Sequence, residues 1–324
     1  MLPLDAVLWI SFFLSLLVLS LWIVLHWGFF LVARRRGLIP PDKRSWMERP
    51  WAIWPSAGCL ALGGLSFAYG SLIEADWVEV TRTEIGVDRP VLGRERFRIL
   101  HLSDFHLERF GRREERVLRE AARAEPHLIL LTGDYMNVRE GGVALVEVLR
   151  HLKAPHGVWG VEGNWDAKFP VRALFEAAGA VLLEDETRLI EHGGGRLRLV
   201  GQGVYPTRSL RDLLEGLDDG AFTVFLHHFP DAAEELSALG PGRKVDLFLC
   251  GHTHGGQVRL PLWGAILTMS RLHKRYEQGL YRVGDVPMYV NRGIGLEGGP
   301  VPRVRFLARP EVAVIDLVRR PAGR

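Results

Sequence analysis

The sequence predicts an α/β domain carried behind a pair of membrane-crossing helices. Three observations point there: two uncharged apolar runs fill the first quarter of the chain, a series of short apolar runs then each ends abruptly in Asp, Asn, His and Gly, and segments of helical periodicity separate them. The chain has 324 residues, 48% hydrophobic and 24% charged, which excludes disordered, collagenous and coiled-coil classes. Lys+Arg 41 against Asp+Glu 38 is close to balance, so there is no nucleic-acid footprint and no nucleic-acid partner is expected. Two cysteines, Cys59 and Cys250, cannot make a disulfide framework.

The first two elements are residues 6–33 and 51–73, both free of Asp, Glu, Lys and Arg. Either run is long enough to cross a hydrocarbon core of about 30 Å at about 1.5 Å per residue. Seven of the ten tryptophans (Trp9, Trp22, Trp27, Trp46, Trp51, Trp54, Trp77) lie in this quarter, several at run ends where an aromatic belt would sit. A cleaved signal peptide is the competing reading of the first run, but a basic leader is missing and the run exceeds a normal apolar core. The intervening loop carries Arg34, Arg35, Arg36, Lys43, Arg44 and Arg49 against Asp42 and Glu48. Only Asp5 precedes the first run, and Glu74, Asp76 and Glu79 follow the second before Arg82. The positive-inside rule puts that loop in the cytoplasm and both termini outside. The expectation is a two-span, multi-pass anchor at 1–76 in the lipid bilayer of the cell membrane, with the folded domain, 77–324, on the outer (periplasmic or extracellular) side.

In that domain Phe97-Arg98-Ile99-Leu100-His101-Leu102 runs into Ser103-Asp104-Phe105-His106, and Leu128-Ile129-Leu130-Leu131 into Thr132-Gly133-Asp134. Val158-Trp159-Gly160-Val161 runs into Glu162-Gly163-Asn164-Trp165-Asp166. Phe222-Thr223-Val224-Phe225-Leu226 meets His227-His228, and Leu247-Phe248-Leu249-Cys250 meets Gly251-His252-Thr253-His254. Short apolar runs bounded by turn residues read as strands buried on both faces. Residues 112–125 repeat Val117, Leu118, Ala121 and Ala122 at helical spacing before Pro126, and 171–178 reads as another helix. Residues 196–201, 288–290 and 311–317 read as further strands. Strands alternating with helices place a site at the strands' carboxyl ends.

Those ends offer oxygen and imidazole donors without a thiolate set, which suits Mn, Fe, Zn or a related divalent ion. In an extended segment, residues two apart point to one side, so Asp104 and His106 can share an ion. Asp134 stands alone after its strand, placed to bridge two ions. Gly133, Gly163, Gly251, Gly255 and Gly256 would let the backbone turn tightly and let an anionic substrate approach. Two ions about 3.5–4 Å apart would clamp a phosphoryl group and generate hydroxide at neutral pH.

Asp104-x-His106, Gly133-Asp134, Gly163-Asn164-x-Asp166, His228-x-Pro230 and Gly251-His252-Thr253-His254 together resemble the calcineurin-like metallophosphoesterases, over about residues 97–311. The N-terminal segment and His254-Gly255-Gly256-Gln257 resemble the membrane-associated bacterial YkuE/YaeI-type branch, itself similar to UDP-2,3-diacylglucosamine pyrophosphatases. The resemblance implies a four-layer α/β/β/α sandwich and hydrolysis of a phosphodiester or pyrophosphate bond by a metal-bound hydroxide. It implies two divalent metal ions, manganese foremost, with iron or zinc as alternatives. Carried over by position, Asp104, His106 and His254 would hold the first metal, Asp134 would bridge, and Asn164, His228 and His252 would hold the second. His228 is preferred to His227 because the pattern sets the ligand two residues before the proline, here Pro230. Asn164, Asp166 and His228 would be the catalytic residues. The expected partner is a phosphate-ester or pyrophosphate substrate, and the anchor points to lipid-linked or membrane-proximal ones.

One position departs from the pattern: Trp165 stands where the family usually has a His that serves the leaving group. Indole has one N–H donor and supplies no proton at neutral pH. The departure implies a substrate with a good leaving group, replacement by His227 or His106, or a packing change at the rim. The alternative for the whole chain is a metal-binding membrane protein that has lost turnover through Trp165, which the complete ligand set argues against. His101, His127, His151, His156, His192 and His273 read as structural, and Cys250 as an inert buried thiol. Gly193–Gly195 and Gly201-x-Gly203 read as turns. Arg292 is a phosphate contact or a structural ion pair, and Arg319, Arg320 and Arg324 form a solvated tail.

Overall fold

The computed structural model describes residues 4–40, 42–217, 220–240, 244–297 and 303–320; Arg324 lies outside them. Two compact units emerge, Met1–Ile73 and Glu74–Arg324. In the first, α1 (Leu4–Arg35) and α2 (Pro50–Leu72) pack around Ile23, Met47 and Ala52. Pro50 opens α2 at its first position, where a missing N–H costs nothing. Ser45 and Glu48 form a capping box on the turn between the helices, and Glu48 pairs with Arg34 at 2.6 Å. Leu8, Phe12, Val18, Trp22, Leu25 and Phe29 on α1 remain exposed, as do Trp51, Trp54, Leu62, Leu65 and Phe67 on α2.

The second unit opens with β1 (Glu79–Val87), β2 (Arg96–Leu102), α3 (Arg112–Ala124), β3 (Leu128–Thr132), α4 (Gly141–His151) and β4 (Val158–Val161). It continues with α5 (Val171–Ala178), β5 (Val181–Leu182), β6 (Glu186–His192), β7 (Gly195–Gly201), α6 (Leu210–Leu214) and β8 (Phe222–Leu226). Then follow α7 (Ala233–Ala238), β9 (Leu247–Cys250), β10 (Arg259–Leu260), β11 (Gly264–Ala265), β12 (Gly279–Val283), β13 (Val286–Val290) and β14 (Glu311–Arg319). One sheet has the order β1-β14-β2-β3-β4-β5 and the other β12-β13-β9-β8-β7-β6; β10 and β11 form a small hairpin.

The alternation of side chains along the strands explains the layering. Ile99, Leu130 and Ile315 of the first sheet meet Leu199, Val224 and Leu249 of the second in one core. Their neighbours Leu100, Leu131 and Val314 point the other way, onto Val117, Leu145 and Phe175 of α3, α4 and α5. Val200, Phe225 and Met288 of the second sheet pack on Leu213 and Leu236 of α6 and α7. The inner strands β3 and β9 are therefore apolar on both faces, which is why their sequences are nearly unbroken apolar runs. The resulting mixed α/β order is helices, sheet, sheet, helices.

The five strands read as ending in polar loops are β2, β3, β4, β8 and β9, and the three later readings fall within β7, β13 and β14. The helix expected over 112–125 ends one residue early, because Glu125 adopts a left-handed cap (φ 48°) before Pro126. The sequence offered no reading of β1, β6 or β12, whose side chains are largely half-buried or exposed and so carry no apolar pattern.

Arg98 and Asp316 face each other across the β2–β14 pair, with Arg98 Nε donating to Asp316 Oδ1 at 2.8 Å. Arg98 Nη1 also donates to Ala124 O, closing the carboxyl end of α3. Burial alone would raise the Asp316 carboxyl, but Arg98 and Arg96 outweigh it and hold its pKa below the ordinary carboxylate value. A depressed folded pKa stabilises above the unfolded carboxylate value and is lost as pH falls through the folded one. Asp316→Asn should therefore cost about 1.5–3 kcal/mol near pH 7, with the two proteins converging as the carboxylate titrates. Thermal unfolding of both across the acid range checks this; a gap unaltered by acid would contradict it.

Candidate metal centre

The polar loops after β2, β3, β4, β8 and β9 converge at the carboxyl ends of the two sheets. The seam is fastened by hydrogen bonds: His228 Nδ1 donates to Thr132 O (2.6 Å), and Asn291 Nδ2 donates to His101 O (2.9 Å). Two groups of donors form there. Ligand atoms of Asp104, His106 and His254 lie within 4.8 Å of one another, and those of Asp134, His228 and His252 do the same. Asp134 Oδ2 stands 3.6 Å from His106 Nε2 and 3.3 Å from His228 Nε2, so it adjoins both groups. His254 Nε2 is 3.1 Å from His106 Nε2 and 3.3 Å from Asp104 Oδ1.

The donor set fits divalent cations on three counts. Burial draws the pKa of His106 down to about 4 and that of His252 to about 3, leaving their rings neutral with a lone pair to give. For His228 burial opposes the charge, but Asp134 and Asp104 outweigh it and lift its pKa to about 10; a cation beside those carboxylates would take over the role of that proton. Finally, Asn164 Oδ1 is buried without a hydrogen-bond partner among the described residues, as an unspent ligand atom would be.

The rings are oriented from behind. His106 donates from Nδ1 to Asn137 Oδ1 (2.7 Å), and His228 to Thr132 O, so each turns its Nε2 inward. Arg305, fully buried, reaches His254 Nδ1 at 3.2 Å and otherwise donates to the backbone carbonyls of Arg292, Gly293, Gly295 and Ala308. Nothing in the linear sequence marks Asn137 or Arg305, since neither belongs to a motif and only the folded distances connect them to the site.

Backbone geometry corrects one premise. Asp104 and His106 do fall together, but not through an extended segment: both have left-handed backbone, φ 51° and 46°. Asp134, His252 and His254 share that conformation at φ 56°, 70° and 51°. The glycines also do something other than admit substrate. A Cβ on Gly251 would collide with Ser103 Oγ and Asp104 Oδ2, and one on Gly163 with Asp134 Oδ1. These glycines let the chain press against the carboxylates.

Asp166 is buried, and its carboxylate accepts from the backbone amides of Asp134 (2.7 Å), Tyr135 (2.8 Å) and Gly163 (2.7 Å). Trp165 donates its backbone N–H to Asp134 Oδ1 at 2.9 Å, sets its ring edge-on to His106 (5.7 Å between centroids), and carries Lys168 Nζ over its face at 4.6 Å. Glu297, whose pKa burial raises, donates its backbone N–H to Gln257 Oε1 at 2.8 Å. His227 belongs to neither donor group but lines the cleft beside Asn164 and His252, its Nδ1 accepting from the Phe229 amide at 2.9 Å. Arg292 is an ion-pair residue, 2.9 Å from Glu79 and 3.5 Å from Glu311. His101 bonds Thr132 Oγ1 at 2.9 Å between the sheets.

Comparison with known proteins agrees with this geometry. Residues 97–256 match the family model described as Calcineurin-like phosphoesterase. The uncharacterized metallophosphoesterase YkuE of Bacillus subtilis (strain 168) is 32% identical over 277 residues, covering 81% of this chain and 93% of that protein. Phosphodiesterase YaeI of Escherichia coli (strain K12) is 29% identical over 269 residues, covering 78% of this chain and 93% of that protein.

Gly251→Ala should displace the Asp104 carboxylate and empty the first donor group. The expected outcome is a protein with wild-type circular dichroism that retains less metal per chain by elemental analysis; full retention would contradict the crowding argument.

Proposed function

Because the chain belongs to the calcineurin-like phosphoesterases, and is thus a metal-dependent phosphoester hydrolase of the YkuE/YaeI-type branch, we propose that it is a membrane-anchored, two-metal enzyme cleaving a phosphodiester or pyrophosphate bond in lipid-linked or membrane-proximal substrates. The observation that carries the two-metal reading is Asp134, one carboxylate adjoining both donor groups. Asp104, His106 and His254 would hold one ion and Asn164, His228 and His252 the other, with Asp134 adjoining both groups. When bound, two such ions supply positive charge to the phosphoryl oxygens and a nucleophile at neutral pH, manganese being our first choice.

The chain's own residues do the rest. Asn137 and the Thr132 carbonyl hold the imidazoles in register, and Asp166 positions the loops bearing Asp134 and Asn164 by its three amide bonds. Trp165 walls the site beside His106 and offers no proton to a departing group. The substrate therefore carries a leaving group that departs as a stable anion, as a phosphate does from a pyrophosphate link. The exposed apolar surfaces of α1 and α2, each long enough to cross a bilayer, support the anchoring. The basic loop between them supports an outward-facing hydrolase domain.

The full chain in detergent should hydrolyse bis(p-nitrophenyl) phosphate with Mn²⁺, lose that activity to chelator, and lose it about a hundredfold or more in Asp134→Asn. Metal-independent turnover, or an undiminished Asp134→Asn, would overturn the two-metal reading. Trp165→His should raise turnover of diesters with poor leaving groups about tenfold relative to the nitrophenyl ester; unchanged selectivity would remove the leaving-group argument.

A further inference from the structure

Two clefts of opposite character open from the metal centre. One, of about 460 Å³, begins at His106 and Asn137 and is walled by Arg109, Arg112, Arg113 and Arg303. Two of its three carboxylates are already matched, Glu114 to Arg113 (3.0 Å) and Glu108 to Arg303 (2.5 Å); the third is Asp76. Arg109 and Arg112 are exposed and joined to no carboxylate among the described residues. The amino end of α3, capped by no side chain because Gly111 has none, faces the same cleft and adds its partial positive charge. The other cleft, of about 690 Å³, begins at Asn164 and His252. Phe229, Val204 and Met269 line it together with Asp231, Glu234 and Glu235, opposed by Arg271 alone, which lies 3.6 Å from Asp231.

A phosphoryl group seated between the two donor groups sends its substituents into these clefts. Guanidinium pairs in a confined basic cleft bind phosphate strongly, whereas an acidic, partly apolar cleft repels it. We propose that the first cleft is a subsite for a second anionic group, a phosphate borne by one substituent of the substrate, while the second cleft receives an uncharged substituent. This rests on the phosphoesterase reading above and narrows its substrate class to diesters and pyrophosphates with charge on one side.

The test pairs two esters with one leaving group: the p-nitrophenyl ester of thymidine 5′-phosphate, and the same ester carrying a 3′-phosphate. The full chain in detergent should favour the 3′-phosphorylated ester about tenfold in kcat/KM, less so as salt rises. The double variant Arg109→Glu, Arg112→Glu should reverse the preference, and the milder Arg109→Gln, Arg112→Gln should erase it. Lys153→Glu, which changes the charge by as much as the double glutamine variant but on an exposed residue beyond α4, should keep it. Calorimetry on the metal-free protein gives a readout independent of turnover. Thymidine 3′,5′-bisphosphate should bind about tenfold tighter than thymidine 5′-phosphate, through the same arginines. Turnover without preference, together with equal binding, would overturn the subsite and leave the hydrolase standing. Arginine-dependent binding without turnover of either ester would keep the subsite and sink the phosphodiester reading. Repeating the binding in nanodiscs with and without phosphatidate separates the sources, since a lipid-borne phosphate would compete with the bisphosphate and a soluble one would not.

Discussion

The carboxylate of Asp166 is the tie on which the centre depends. It lies in the loop after β4 and accepts from the Gly163 amide of that same loop and from the Asp134 and Tyr135 amides of the loop after β3. Backbone bonds run on past the strands between the loops after β2 and β3, such as His106 N–H to Asp134 O, whereas hydrogen bonds between the loops after β3 and β4 run through the carboxylates of Asp166 and Asp134. Removing the carboxylate would leave three buried amides without acceptors at once, a cost of about 1–3 kcal/mol each. Since Asp134 touches both donor groups, movement of its backbone would move the shared vertex of the site. Through its bonds to these backbone amides, Asp166 sets the placement of the neighbouring donor residues.

The same demand for placement explains the backbone strain. Five candidate ligands, Asp104, His106, Asp134, His252 and His254, sit in the left-handed region, where a non-glycine residue pays on the order of 1 kcal/mol. Asp and His tolerate that region better than most side chains. The rigid strands behind them over-determine the loops: β2, β3, β8 and β9 are almost wholly buried, and their cores lock each loop at its entry. A left-handed residue reverses the side-chain direction that a pleat would give, which brings neighbouring loops' ligands inward together.

This is also where sequence reasoning reached its boundary. The donor residues were legible because strand periodicity breaks sharply at Asp104, Asp134, Asn164, His228 and His252, and a run of Asp, Asn and His after an apolar strand has few packing roles. Asp104 and His106 share a donor group through left-handed backbone rather than an extended segment: Asp and His tolerate that region without requiring it, so residue type alone does not reveal φ. The central strands were legible as apolar runs, whereas β1, β6 and β12 were not, since partial exposure removes the hydrophobic constraint that makes a strand readable. Asn137, Arg305 and the Thr132 carbonyl were invisible: their roles come from distances between segments far apart in the chain.

Trp165 shows how a small chemical change propagates through such a site. Its backbone amide still supports Asp134, so replacing the usual side chain spares the scaffold. Its ring packs edge-on against His106 and its face carries Lys168, so the indole is held on two sides. A side chain so held excludes water well and exchanges protons poorly, trading general acid chemistry for a drier, more rigid wall. Such a site gains most where the bond to be cut needs charge stabilisation rather than a proton. A pyrophosphate link is such a bond, because its leaving group is itself an anion, and the basic cleft opens at His106, the ring against which Trp165 packs.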